Sequence, residues 1–268
     1  MDALSSTPSL LGLPRELRDQ ICLFLIDDTN ARKPPPSPPF AGRRSRGPIE
    51  IMYCTERPVH RYPNIALVNH QLRAEIAENV NSFPGLPEAE LDLMAKGYCF
   101  YPTWTKLPGS VNRGKYGDLN VKLRIFSTEA FKMNDGWPRQ PGSGFRTLLV
   151  LLNNFLMNGP PFLPQGKAQD TRAPYRINRL SVNVTFHDLY TPATWADTAR
   201  EILKMLHALA DSGIPYPYIK EIKPLVEFET RYGSMSATKE LTVAETCDTA
   251  VNEQWERAGF RFALRNSG

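Results

Sequence analysis

Leu180-Ser181-Val182-Asn183-Val184-Thr185-Phe186-His187 alternates apolar and polar residues without a break. Successive side chains of a strand point to opposite faces, so this pattern predicts a strand with one face buried and the other wet. Two more stretches share it. Asn120 to Ser127 sets Val121, Leu123 and Ile125 against Lys122 and Arg124, and Leu225 to Tyr232 alternates through Val226, Phe228, Thr230 and Tyr232. Pro224 cannot donate to a ladder and predicts a strand start or an edge. Helical patterns lie between the strands. Phe145, Leu148, Leu149, Leu152, Phe155 and Leu156 form a broad stripe ended by Asn158-Gly159-Pro160. Trp195, Ala199, Ile202, Leu206 and Leu209 form another, opened by Thr191-Pro192 and running to Gly213.

Strand, helix, strand, helix, strand with connections of this length implies right-handed crossovers and parallel strands. Strands covered on both faces are apolar throughout, whereas these are polar on one side, so the helices are expected on one face only. If the far face is open, Lys122, Arg124, Ser181, Asn183, Thr185, Glu227 and Glu229 lie on it as a mixed polar surface for a protein target. A helix over Ala244 to Ala258, with Cys247, Val251 and Trp255 inward, and a strand over Phe260 to Leu264 are expected to complete the layer. Upstream, Phe83-Pro84-Gly85-Leu86-Pro87 is a break, Glu88 to Ala95 reads as a short helix, and Tyr98 to Trp104 reads as an aromatic strand whose rings belong to the core.

The N-terminal part is different in kind. In Leu11-Gly12-Leu13-Pro14-Arg15-Glu16-Leu17-Arg18-Asp19-Gln20-Ile21, Pro14 suits the first helical position and Glu16 suits the positive end of the helix dipole. Leu13, Leu17, Ile21, Phe24 and Leu25 fall on one helical face that needs a partner. Ile65, Val68, Leu72 and Ile76, in Ile65-Ala66-Leu67-Val68-Asn69-His70-Gln71-Leu72-Arg73-Ala74-Glu75-Ile76, again have helical spacing and are expected to supply it. Between the two helices, Lys33-Pro34-Pro35-Pro36-Ser37-Pro38-Pro39 must be extended. With Arg43-Arg44-Ser45-Arg46 beside it, the stretch reads as a solvated insert.

A Leu-Pro-x-Glu-Leu-Arg-x-x-Ile opening followed by Asn-x-Gln-Leu-Arg-x-Glu resembles the F-box-like proteins of filamentous fungi, including relatives named for a repeated Glu-x-Arg signature. The first triplet is Glu16-Leu17-Arg18, and the second stands degraded as Gln71-Leu72-Arg73. The resemblance covers Leu10 to Ile26 and Ile65 to Glu78. It implies a non-enzymatic substrate adaptor of a cullin-type ubiquitin ligase. Leu13, Pro14, Leu17 and Ile21 would face a Skp1-like adaptor subunit, and the rest of the chain would hold an unknown protein target. The alternative is a stand-alone protein-binding module without a ubiquitin-ligase link, in which the same helix is ordinary core. Exposure separates the two, since an adaptor leaves part of the apolar stripe uncovered.

The expected fold is therefore α+β. An F-box-like helical module over 1–95, with a disordered Pro/Arg-rich insert at about 29–49, precedes a small one-sided α/β layer over 96–268, a short, mainly parallel sheet with helices on one face.

Composition narrows the function classes. Arg32, Lys33, Arg43, Arg44 and Arg46 supply five positive charges between Thr29 and Ile49, and taking these from the net +4 leaves the remainder at −1. The basicity belongs to one segment, which argues against a nucleic-acid-binding body. The longest apolar run, Leu148 to Leu152, is far short of the roughly 20 residues that cross a bilayer. There is no secretory pattern, and the four cysteines have no metal-ligand spacing, so a reduced compartment, cytoplasmic or nuclear, is expected. Gly109-Ser110-Val111-Asn112-Arg113-Gly114-Lys115 has the spacing of a phosphate loop, but Tyr116 stands where a hydroxyl would hold magnesium. His60, His70, His187 and His207, the Glu227/Glu229 pair and Ser143 between two glycines offer no convergent nucleophile, base or ligand set. No enzyme activity, catalytic residue, metal or cofactor is expected.

Overall fold

The computed structural model describes residues 10–30, 33–45, 51–55, 69–82, 88–107, 116–128, 131, 143–160, 162, 174–187, 192–213, 215, 217–230, 233–238 and 241–245. A 3-10 turn at Leu10–Gly12 leads into α1 (Arg15–Asn30), whose N-terminal amides include Arg18 N–H bonded to the Pro14 carbonyl at 3.2 Å. A ribbon of β1 (Arg43–Ser45) and β2 (Met52–Cys54) follows, then α2 (His70–Ser82). The sheet is built from β3 (Glu88–Lys96), β4 (Cys99–Lys106), β5 (Tyr116–Ile125), β6 (Arg176–Phe186), β7 (Ile219–Thr230), β8 (Gly233–Thr238) and β9 (Leu241–Thr242). Helix α3 (Ser143–Asn158) lies between β5 and β6 in the chain, and α4 (Pro192–Asp211) between β6 and β7.

The strand order is β4-β3-β5-β6-β7-β8, with β9 also on β7. The four strands β3, β5, β6 and β7 are parallel, and β4, β8 and β9 are antiparallel additions at the sides. The architecture is thus α+β with a mixed, mainly parallel sheet. Because β5, β6 and β7 succeed one another in one direction, two right-handed crossovers deliver both helices to the same face. Register aligns Leu91, Val121 and Val182 in one row and Leu93, Leu123, Val184 and Val226 in the next. These rows are buried together with Leu148, Leu152, Phe155, Ile202 and Leu206 from the two helices. No helix among the described residues is long and apolar enough to cross a membrane.

Four local expectations change. Glu88 to Ala95 is strand β3, not helix. Its residues favour helix intrinsically, yet Ala89, Leu91, Leu93 and Ala95 alternate with Glu88, Glu90, Asp92 and Met94, and β3 sits between two partners that pair its backbone on both sides. Pairing on both edges and burial of both faces from Leu91 to Ala95 therefore override propensity. Pro224 is neither a strand start nor on an outer strand: β7 begins at Ile219, and Pro224 registers with Val182. It is tolerated because β9 pairs at Glu221 and Ile222 while β8 begins at Leu225, so the missing amide falls in the gap between them. A boundary at 95/96 would cut the β3–β4 hairpin, which turns at Gly97, and Ile51 and Tyr53 already belong to the sheet's core. The Pro/Arg-rich insert, expected to be disordered, is packed along 33–45, as shown below. The helix over Ala244 to Ala258 and the strand over Phe260 to Leu264 lie outside the described residues, apart from Ala244 and Glu245, which are not helical.

Gly159 ends α3 as expected, with a φ of 77° and its N–H bonded to the Phe155 carbonyl at 2.7 Å. A Cβ here would lie 2.6 Å from the Tyr175 ring. Gly159→Ala is expected to cost at least about 1–2 kcal/mol from the left-handed backbone alone, read as a lower midpoint in urea. Gly12→Ala, where a Cβ would meet nothing within 4 Å, is the control.

Candidate protein-interaction surfaces

The two halves of the N-terminal motif meet. Asn69 caps α2, its Oδ1 accepting from the amides of Gln71 at 2.7 Å and Leu72 at 3.4 Å. Across from it, Arg18 donates to both oxygens of Glu75, from Nε at 2.9 Å and from Nη2 at 2.6 Å, and from Nη1 to the Leu13 carbonyl at 2.5 Å. Gln71 Nε2 adds a third bond to Glu75 at 3.0 Å. Arg15 pairs with Glu78, and Asn79 donates to Asp19 at 2.7 Å. Cys22, Leu72 and Ile76 are buried beside these pairs, and none belongs to the core cluster of the sheet. The helix pair is thus a separate small packing unit held by charge-assisted bonds.

This corrects the expected packing of α1. The side turned to α2 carries Arg18 and Cys22, one turn apart; the apolar stripe lies on the adjacent face. Leu13 is 36% exposed, Leu17 46%, Ile21 36% and Phe24 71%, with Leu11 and Pro14 exposed alongside. Ile65 and Val68, expected opposite the stripe, lie outside the described residues, as does the Leu25 side chain.

Hydrogen bonds from Arg18 and Gln71 lower the Glu75 pKa from 4.5 to about 2. Since the folded value is depressed, the stability it contributes is complete above about 4.5 and is lost as pH falls toward about 2. Glu75→Gln is expected to be less stable than the parent at neutral pH, with the gap in thermal midpoint closing over that window. A gap independent of pH would remove Glu75 from the linkage.

The far face of the sheet is polar, as the alternation predicts. Lys122 is exposed there, with Arg124, Ser181, Asn183 and Thr185 half-buried. Glu227 registers with Thr185, but the side chains of Glu227 and Glu229 lie outside the described residues. What sequence reasoning missed is the acidic row of β3, hidden by reading that stretch as helix. Three β5 side chains reach the β3 carboxylate one pair back: Asn120 to Glu88, Lys122 Nζ to Glu90 Oε2 at 2.9 Å, and Arg124 to Asp92, with Nε–Oδ1 2.6 Å and Nη2–Oδ2 2.7 Å. Arg179 and Glu221 pair across β6 and β7 at 3.0 Å. Phe126 and His187 stack with centroids 5.0 Å apart at the C-terminal ends of β5 and β6.

Residues 33–45 lie against the β3–β4 side of this face. The Pro35 carbonyl accepts from Arg124 Nη2 at 2.5 Å, Pro38 is buried, and Phe40 meets the Tyr101 ring edge-on at 5.5 Å. Arg43 donates to the carbonyls of Met52 and Pro102, both at 2.9 Å, bonds Thr103, and lies over Tyr101. Burial lowers its pKa. The sheet residues beneath, Asp92, Met94 and Tyr101, are almost fully buried.

Among the described residues, the remaining candidates do not assemble. Gly109 to Lys115 and His60 lie outside the described residues, His70 is exposed at the start of α2, His207 is half-buried on α4, and Ser143 is the first residue of α3. Among the described residues, no three His, Cys, Asp or Glu side chains converge as for a metal. Among the described residues, those lining a cavity between helices and sheet are all apolar, Leu91, Val121, Leu148, Val182 and Leu206 among them, and offer no polar group to orient a ligand. Comparison with protein-family models, with curated proteins and with solved structures gave no match to this chain.

Proposed function

We propose that the chain is a non-enzymatic, F-box-like substrate adaptor of a cullin-type ubiquitin ligase. Leu13 and Pro14, just before helix α1, and Leu17 and Ile21 on it, joined by Phe24, face a Skp1-like subunit, and the far face of the sheet holds a protein target, with Lys122, Arg124, Asn183, Thr185, Glu227 and Glu229 on the strands that form it. The reading rests on the division of α1: Arg18 is bonded to Glu75 of α2 and Cys22 is buried, while the apolar stripe beside them stays exposed. A contiguous apolar stripe on a helix already packed on its other side is typical of a surface that a partner covers. The site of action that follows is the cytoplasm or the nucleus.

The experiment is capture of the full chain on a purified Skp1-like subunit, beside a Leu17→Asp, Ile21→Asp chain checked by circular dichroism. Capture lost in the folded variant supports the adaptor; no capture of the parent chain rejects it in favour of a stand-alone protein-binding module. That second reading draws on one observation: Arg18, Gln71 and Glu75, which carry the resemblance, are engaged with each other.

A further inference from the structure

We propose that the β3–β5 end of the far face binds proline-rich extended segments of target proteins, and that the chain's own run from Lys33 to Phe40 is its resident occupant. The inference deepens the target-holding half of the proposed function and rests on it, but not on the ubiquitin-ligase link.

A proline-rich segment has no internal hydrogen bonds, so its carbonyls are open to an outside donor, and its stiffness lowers the entropy lost on docking. Surfaces that read such segments combine aromatic rings with fixed donors. Both are present. Arg124 is held in advance by two bonds to Asp92 and lies 5.8 Å over the Phe126 ring. From that position Nη2 donates to the Pro35 carbonyl. Tyr101 supplies the ring that receives Phe40, and Pro38 is buried between the two anchors in sequence.

The occupant is held lightly. Phe40 remains 63% exposed on its ring contact, and Pro34, Pro36 and Ser37 are exposed. The chain after it is tied down independently. Thr55 bonds the Gly42 carbonyl through both its amide and its hydroxyl, and Arg43 to Ser45 pair with β2. Gly42, at a φ of 69°, marks the point where the arm leaves the ribbon. The arm can therefore depart while the ribbon stays, and a proline-rich segment of another protein competes with it for Arg124 and Tyr101.

The test is a chain with residues 33–40 replaced by glycine and serine at equal length, titrated with a synthetic peptide of residues 33–41 and followed by fluorescence anisotropy. Saturable binding is expected, weaker on the order of tenfold or more in the parent chain, because a tethered occupant acts at an effective concentration on the order of millimolar. The same peptide with its prolines changed to alanine should not bind, and Asp92→Leu, Arg124→Met in the replaced chain should abolish binding with the circular dichroism unchanged. If the replaced chain does not fold, Phe40→Ala in the full chain is the readout, with tighter peptide binding expected. A folded replaced chain, or a Phe40→Ala chain, whose peptide affinity is no better than the parent's overturns the proposal, as does equal binding of the alanine peptide. Capture by a Skp1-like subunit through α1 is read separately, so failure of one reading is not failure of the other.

Discussion

Arg124→Met alone is expected to destabilise the chain by about 3–5 kcal/mol, because it strips a buried carboxylate of its bidentate partner. Asp92 has no exposed surface, and Arg124 covers both of its oxygens. Replacing both residues, as Asp92→Leu with Arg124→Met, should recover most of the loss, since apolar side chains of similar size can fill a site that no longer holds a charge. Lys122→Met is the contrast: its partner Glu90 is 26% exposed and Lys122 itself 48%, so the loss should stay below about 1 kcal/mol. Urea midpoints with an unchanged slope measure all three. A single Arg124 variant no worse than the Lys122 variant would mean that water reaches Asp92 and that the pair is not an organising contact of the far face.

Leu17→Asp with Ile21→Asp is expected to weaken capture by a Skp1-like subunit at least about hundredfold, as two anchors lost from the centre of an interface would. The same change should leave stability within about 1 kcal/mol, because both side chains are substantially exposed, and an aspartate in the first turn, at position 17, suits the helix dipole. Arg18→Ala separates the surface from its support. It should lose capture together with the α1–α2 pairing, visible as a fall in helical signal, whereas the Leu17/Ile21 variant should lose capture alone. Equal capture by the Leu17/Ile21 variant and the parent would place the contact elsewhere on the chain.

The sequence by itself determined the elements with strong periodicity. Alternation in β5 and β6 and the stripes of α3 and α4 are local patterns, and local patterns survive when each element buries one face. The polar far face with Lys122, Arg124, Asn183 and Thr185 followed from the same alternation. Gly159 was readable too, because a left-handed helix end is a property of a single residue. Tertiary structure decided the rest. Strand β3 carries helix-favouring residues, and only a place between β4 and β5 makes it a strand. Pro224 sits inside β7 because two different partners leave a gap there, which a sequence has no means to display. Which face of α1 turns inward was settled by Arg18 meeting Glu75, 57 residues away. The proline-rich arm lies on the sheet for the same kind of reason: its partners, Arg124 and Tyr101, are distant in the chain and adjacent only after folding.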